Sequence, residues 1–179
     1  MVWKDQRASF VNASNLRNDI EVFKFKPNEK SAFGGDDAKI VNITLTDSLG
    51  SNLSWVVGGE KVALNVEVDA YVDLEQPIVG FFVKDRLGQT LFGDNTFFSY
   101  QHRPCPARAG SKITAQFEFY MPWLAKGDYT IQAAIANGTQ HEHKQLHWFH
   151  EGLAIRSHHD PVSTGIIGIP FTNISLSSA

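Results

Sequence analysis

With 179 residues, 42% of them hydrophobic, the chain can bury one substantial core, so a single folded domain is the default. Thirteen phenylalanines and four tryptophans describe an aromatic core, and a net charge of −3 supplies no electrostatic footprint for nucleic acid or for an anionic membrane surface. The lone cysteine, Cys105, cannot form an internal disulfide and favours a reducing compartment.

Residues 1–35 read as a linker with a short helix within 6–18 and a marginal edge strand within 20–26, closed by the Gly34-Gly35 pair. From residue 36 the pattern becomes strand after strand. Residues 39–46 alternate apolar and polar and run into a turn cluster at 47–52. Residues 61–72 carry the clearest signal: Val62, Leu64, Val66, Val68, Ala70 and Val72 share one face, and Ala63, Asn65, Glu67, Asp69 and Tyr71 share the other. Period two over twelve residues predicts a half-buried antiparallel strand. In 79–85, Val79, Phe81 and Val83 alternate with Gly80, Phe82 and Lys84; a turn at 85–88 follows, with Gly88 suited to a positive φ, and Leu91 and Phe92 return to the core.

Residues 100–110, with two prolines and no usable period, predict a long loop crossing between sheets. Then 112–120 places Ile113, Ala115, Phe117 and Phe119 inside, and a corner over 121–128 leads to 129–136, which buries Tyr129, Ile131, Ala133 and Ile135 and leaves Thr130, Gln132, Ala134 and Ala136 outside. Asn137-Gly138 is a turn, and 144–156 is the last long strand. About seven short strands and no long amphipathic helix predict an all-β, immunoglobulin-like antiparallel β-sandwich over 36–157. Residues 158–179 carry a further strand, because the apolar run 165–171 pays a solvation cost unless it pairs with an edge; exchange with a second copy in a homodimer meets that need, and folding back on its own sandwich is the plainer alternative.

Several short motifs resemble those of a known family. They are the strand ending in Asp85, Gly88, then Leu91-Phe92-Gly93-x-Asn95-Thr96; upstream Gly34, Gly35, Ala38, Lys39 and Ile40, and Gly59-Glu60; downstream Ala125 to Tyr129 and the late segment 165–170. Together they resemble the C-terminal carbohydrate-binding domain of the Wzt-type ATPase subunit of O-antigen polysaccharide ABC transporters, over roughly residue 31 to the end. The resemblance implies a non-enzymatic module that recognises the terminus of an O-polysaccharide, works in the cytoplasm with the transporter's ATPase and membrane subunits, and exchanges strands in a dimer.

The residues themselves weigh the same way. No phosphate-cradling glycine loop and no nucleophile elbow is present. Residues 1–10 hold no signal-like apolar core, and no apolar run is long enough to span a bilayer, so the chain reads as cytosolic and its five Asn-x-Ser/Thr triplets as ordinary polar positions. His141, His143, His147, His150, His158 and His159 do not converge on a ligand spacing, so neither a metal nor another cofactor is expected. Glu67, Asp69 and Glu118 are the carboxylates a glycosidase would need, against the plainer reading of a solvated face.

Sugars are bound by aromatic planes and by planar amides that bond to hydroxyls. If 129–136 pairs with 79–85 and 144–156, one outer face collects Gly80, Phe82, Thr130, Gln132, Ala134 and one of His147 or Trp148, with Gly80, Ala134 and Ala136 leaving a groove. The candidate carbohydrate-binding residues are therefore Phe82, Thr130, Gln132, His147 and Trp148. The competing face holds Asn65, Glu67, Asp69 and Tyr71 with Thr114, Gln116, Glu118 and Tyr120. A structural dimerisation domain that touches no glycan is the alternative function.

Overall fold

The computed structural model describes residues 6–160 and 165–178. The first five residues of the expected linker, and 161–164 and 179 of the expected C-terminal strand segment, lie outside the described residues.

Two antiparallel sheets face each other across one apolar core. The smaller is β3 (Ala38–Thr46), β5 (Lys61–Ala70) and β8 (Lys112–Tyr120), with β5 in the middle. The larger runs β4 (Trp55–Val57), β1 (Asp19–Val22), β11 (His143–Ser157), β10 (Gly127–Gly138), β6 (Pro77–Asp85) and β7 (Thr90–Asn95). A short β2 (Ala32–Gly34) pairs with the first half of β11, on the edge whose second half is taken by β1.

The alternation written into each strand becomes the core. Val62, Leu64, Val66, Val68 and Ala70 of β5 are buried against Val79, Phe81 and Val83 of β6 and Ile131, Ala133 and Ile135 of β10. Phe81 anchors an aromatic cluster at one side, 4.9 Å from Phe117 and 6.2 Å from Phe92 between ring centroids. The turn after β6 forms as its residues require: Asp85 Oδ1 accepts from the backbone N–H of Leu87 and Gln89, and Gly88 takes φ +82°. The long connection from β7 to β8 does cross between sheets. It begins with a helical turn, α2 (Phe97–Tyr100), and is tacked down where Ala107 bridges Leu74 and Asp73 accepts from the Ala109 N–H.

Two expectations change. The strand at 19–22 is interior, hydrogen-bonded to β4 on one side and β11 on the other, and Ile20 is fully buried; its brevity and flanking charges hid this in the sequence. Val72 lies beyond the end of β5 and is exposed, because the chain turns out of the sheet after Ala70. A short helix, α1 (Ala8–Asn12), precedes β1. In the C-terminal segment, β12 (Ile167–Gly168) pairs with β9 (Trp123–Leu124) of the same chain.

Tyr129 closes the corner before β10. Its hydroxyl donates to the Ala125 carbonyl oxygen at 2.7 Å, a hydrogen bond of the tyrosine-corner kind. Burial, with smaller contributions from Asp85 and Asp160, raises its pKa above the usual 10.0. The folded chain therefore keeps this proton at a pH where the unfolded chain releases it, so stability declines as the pH rises past the ordinary tyrosine range. Tyr129→Phe is expected to be less stable than the parent at neutral pH, by about 1 kcal/mol for the lost hydrogen bond, with a flatter decline above pH ~10 in thermal melts.

Candidate carbohydrate-binding face

The registers of four strand pairs place one row of residues across the outer face of the larger sheet. Phe33 of β2 lies opposite Trp148 of β11, Trp148 opposite Ala134 of β10, Ala134 opposite Gly80 of β6, and Gly80 opposite Asn95 of β7. Side chains in such a row stand on one face at the ~4.8 Å spacing of strands. The row is therefore an aromatic wall, a floor of two residues with almost no side chain, and a polar wall. Gly80, Ala134 and Ala136 form the bottom of a groove of roughly 430 Å³, between Trp148 and Gln145 on one side and Asn95 on the other.

Glycines shape its rim. A Cβ at Gly80 would come within 3.0 Å of Asn95 Cβ, so the bare floor lets β7 lean inward. A Cβ at Gly93 would lie 2.7 Å from the Phe82 ring and 2.2 Å from the Phe81 carbonyl oxygen, so glycine there lets the 42%-exposed Phe82 fold over β7. The corner that carries Asn95 is held by backbone partners. Thr96 Oγ1 accepts from the Val79 N–H, and Asn95 Oδ1 from the Phe97 N–H, leaving Asn95 Nδ2 turned to Gln140 at 3.5 Å.

Of the five candidate residues, the structure brings Phe82 and Trp148 to this groove. Gln132 is on the same face, opposite Phe82, but only 7% exposed; its Nε2 donates to the His150 carbonyl oxygen while its Oε1 is buried with no partner among the described residues. Trp148 stacks on His150 with ring centroids 5.1 Å apart, and its Nε1 is likewise buried without an acceptor. Thr130 lies four residues from Ala134 along β10, about 13 Å away, in a separate depression.

His147 requires a correction. Its ring is fully buried on the opposite side of β11, edge-on to Phe149 at 4.8 Å, and its Nδ1 accepts from the Ile40 N–H at 3.1 Å. It is a core residue joining the two sheets and cannot meet a ligand on the outer face. The sequence left the parity of β11 open because one extra residue at Leu146 and more around 150–152 interrupt its pairing with β10. The same irregularities concealed Gln145 as a groove residue. Phe33 escaped notice because nothing local signals that a three-residue strand joins β11.

The competing face, on the smaller sheet, is already paired with itself. Gln116 donates to Asn65, Asn65 to Thr46 and Asn42 to Glu67, while Lys61 meets Glu118 and Lys112 meets Asp69. The hydrogen bond to Glu118 and its charge raise the Lys61 pKa. A ligand there would have to break made bonds. On the larger sheet, Trp148 Nε1 and Gln132 Oε1 are without partners among the described residues, and both are buried, so a ligand meets them only if the side chains turn outward. Among the described residues no group of three or more His, Cys, Asp or Glu is placed to hold a metal ion.

The family model for the Wzt C-terminal domain matches residues 29–169, most of the chain and all of the groove-forming strands. The chain belongs to the Wzt C-terminal domain family. The family is a non-catalytic domain of the ATPase subunit of O-antigen ABC transporters, and no enzymatic family is indicated. Among solved structures, the crystal structure of the C-terminal domain of Wzt shares the fold, with a TM-score of 0.66 at 20% identity over 83% of this chain and 87% of that one. No curated protein matches the chain. Within the Wzt C-terminal domain framework, the motif residues Gly93, Asn95 and Thr96 act structurally, and Gly93 and Asn95 also line the rim of the groove.

Proposed function

We propose that this domain is a non-enzymatic carbohydrate-binding module that recognises the terminus of an O-antigen polysaccharide and makes export by the ABC transporter depend on that recognition. In this reading it works in the cytoplasm at the inner membrane, joined to the transporter's ATPase and membrane subunits. The observation that carries it is the contrast between the two outer faces: the larger sheet has an aromatic-walled groove floored by Gly80 and Ala134, and on the smaller sheet the amides and most charged groups are paired with one another.

An open groove on a sheet covers only part of a sugar and must replace well-made water bonds, so affinity per site is expected in the micromolar to millimolar range, about 4 to 8 kcal/mol. Titration calorimetry with the polysaccharide exported by the transporter tests this. Binding in that range, unchanged by a chelator, is the expected result; no heat at millimolar polysaccharide refutes glycan recognition.

A second reading, a dimerisation domain, is favoured by one observation. Among the described residues the outer edges of β7 and β8 are unpaired, and an apolar seam of roughly 470 Å³ between them is lined by the half-buried Phe92, Phe117 and Phe119, with Ile167, Ile169 and Pro170 laid against it and Ile174 and Leu176 exposed beyond. Exchange of this segment between two copies would bury it under two-fold symmetry. Deleting residues 165–179 is expected to convert a dimer to a monomer by light scattering; a truncated chain that stays dimeric removes the segment from the interface.

A further inference from the structure

We infer that the depression around Thr130 is an anion subsite: it holds a carboxylate or phosphate carried by a unit of the polymer adjacent to the one in the groove. The inference rests on the glycan reading given above.

The depression, roughly 610 Å³, is larger than the groove. Its origin is in the sequence of β11. At Gly152 the strand sinks so far that a Cβ would lie 2.6 Å from the Ile131 carbonyl oxygen and equally close to Ile43 of the opposite sheet. Only glycine permits that approach, and the outer surface drops with it. The chain leaving β1 then passes over the gap without joining a strand, and brings Lys24 and Lys26 to its wall opposite Thr130.

Charge gives the depression its chemistry. Four cations elsewhere on the sheets are matched: Lys61 with Glu118, Lys112 with Asp69, Lys144 with Asp37 and Arg156 with Asp128. Lys24 and Lys26 are exposed and have no carboxylate within ion-pair distance among the described residues, and neither has Lys84, directly opposite Thr130 on β6. Glu151 is the one carboxylate lining the depression. Unpaired ammonium groups gathered at a concavity, in a chain whose net charge is −3, attract a compact anion, and the Thr130 hydroxyl supplies a donor beside them.

Continuity of the face ties this anion to the glycan. The groove floor at Ala134 and the depression at Thr130 are two points on the same side of β10, with the Trp148–His150 stack on the neighbouring strand between them. A sugar polymer lying in the groove and over that stack carries its next units into the lysines.

The test is a nuclear magnetic resonance titration of the whole chain with inorganic phosphate, glucuronate and neutral glucose, followed by binding of the exported polysaccharide. Phosphate and glucuronate are expected to move the amide signals of Lys24, Lys26, Thr130 and Gly152, and glucose to leave them in place. The Lys24→Gln/Lys26→Gln variant should lose that response with the rest of its spectrum unchanged. It should also bind the polysaccharide at least about fivefold more weakly, a difference that disappears in about 0.5 M salt. Absence of the phosphate response, or its persistence in the double variant, overturns the subsite. A phosphate response with undiminished polysaccharide binding overturns the assignment to the glycan and points to a free or lipid-borne phosphate. Ala134→Trp separates the two readings: it should weaken polysaccharide binding at least about tenfold and keep the phosphate response, whereas failure of the glycan reading leaves no polysaccharide binding in any variant, the parent included.

Discussion

Replacing Asn18 by Ala is expected to destabilise the domain by about 3 to 5 kcal/mol and to lower its melting temperature by about 10 °C or more. Asn18 is fully buried, and its amide joins three distant parts of the chain. Its Nδ2, with two hydrogens to give, lies within hydrogen-bond distance of three acceptors, the Leu124 carbonyl oxygen at 3.0 Å, Ser157 Oγ at 2.9 Å and the His159 carbonyl oxygen at 2.9 Å, while its Oδ1 accepts from the Leu124 N–H at 3.0 Å. Alanine leaves the Leu124 N–H buried without a partner and opens a cavity between β9 and the end of β11. Asn18→Asp is expected to fare no better, because a carboxylate oxygen would face the Leu124 and His159 carbonyl oxygens with no proton to share. Chemical denaturation monitored by fluorescence measures both. A loss below about 1 kcal/mol for Asn18→Ala would mean that these bonds are not held in solution.

The second large effect is expected at the groove floor. Ala134→Trp places a ring where the row from Trp148 to Asn95 leaves only methyl and glycine, and fills the groove without touching the core side of β10, where Ala133 and Ile135 lie. Polysaccharide binding is expected to fall at least about tenfold, or 1.4 kcal/mol, with the melting temperature little changed. Trp148→Ala should weaken binding by a similar factor through loss of the aromatic wall. If it instead lowers stability by about 3 kcal/mol while binding persists, the indole serves packing and not recognition.

What the sequence made legible follows from where its signals were local. In β5 and β6 each residue's face is set by period two alone, and every inward position from Val62 to Ala70 and from Val79 to Val83 is buried as expected. The turn at 85–88 was equally local, since Asp85 and Gly88 each meet a conformational demand of the turn itself. The groove floor was legible too, because Gly80 and Ala134 fall opposite each other once β6 and β10 are paired.

Residues whose role depends on distant partners were not legible. Asn18 sits in a polar stretch of the expected linker, and nothing near it in the sequence announces Leu124, Ser157 or His159. His147 and Trp148 could not be told apart because the parity of β11 is reset by the residues it accommodates against β10. Thr130 shares a face with Gln132 and Ala134, as its parity requires, yet the sinking of the chain at Gly152 separates it from the groove.

Mapping the bound polysaccharide onto the two outer faces tests the central claim most directly. With the isotope-labelled chain and the exported polysaccharide, the amide signals of Gly80, Phe82, Ala134, Gln145 and Trp148, and the indole N–H signal of Trp148, are expected to shift together on titration. Those of Asn65, Glu67, Thr114 and Gln116 should stay in place. Shifts confined to the second set would put recognition on the smaller sheet and contradict the account.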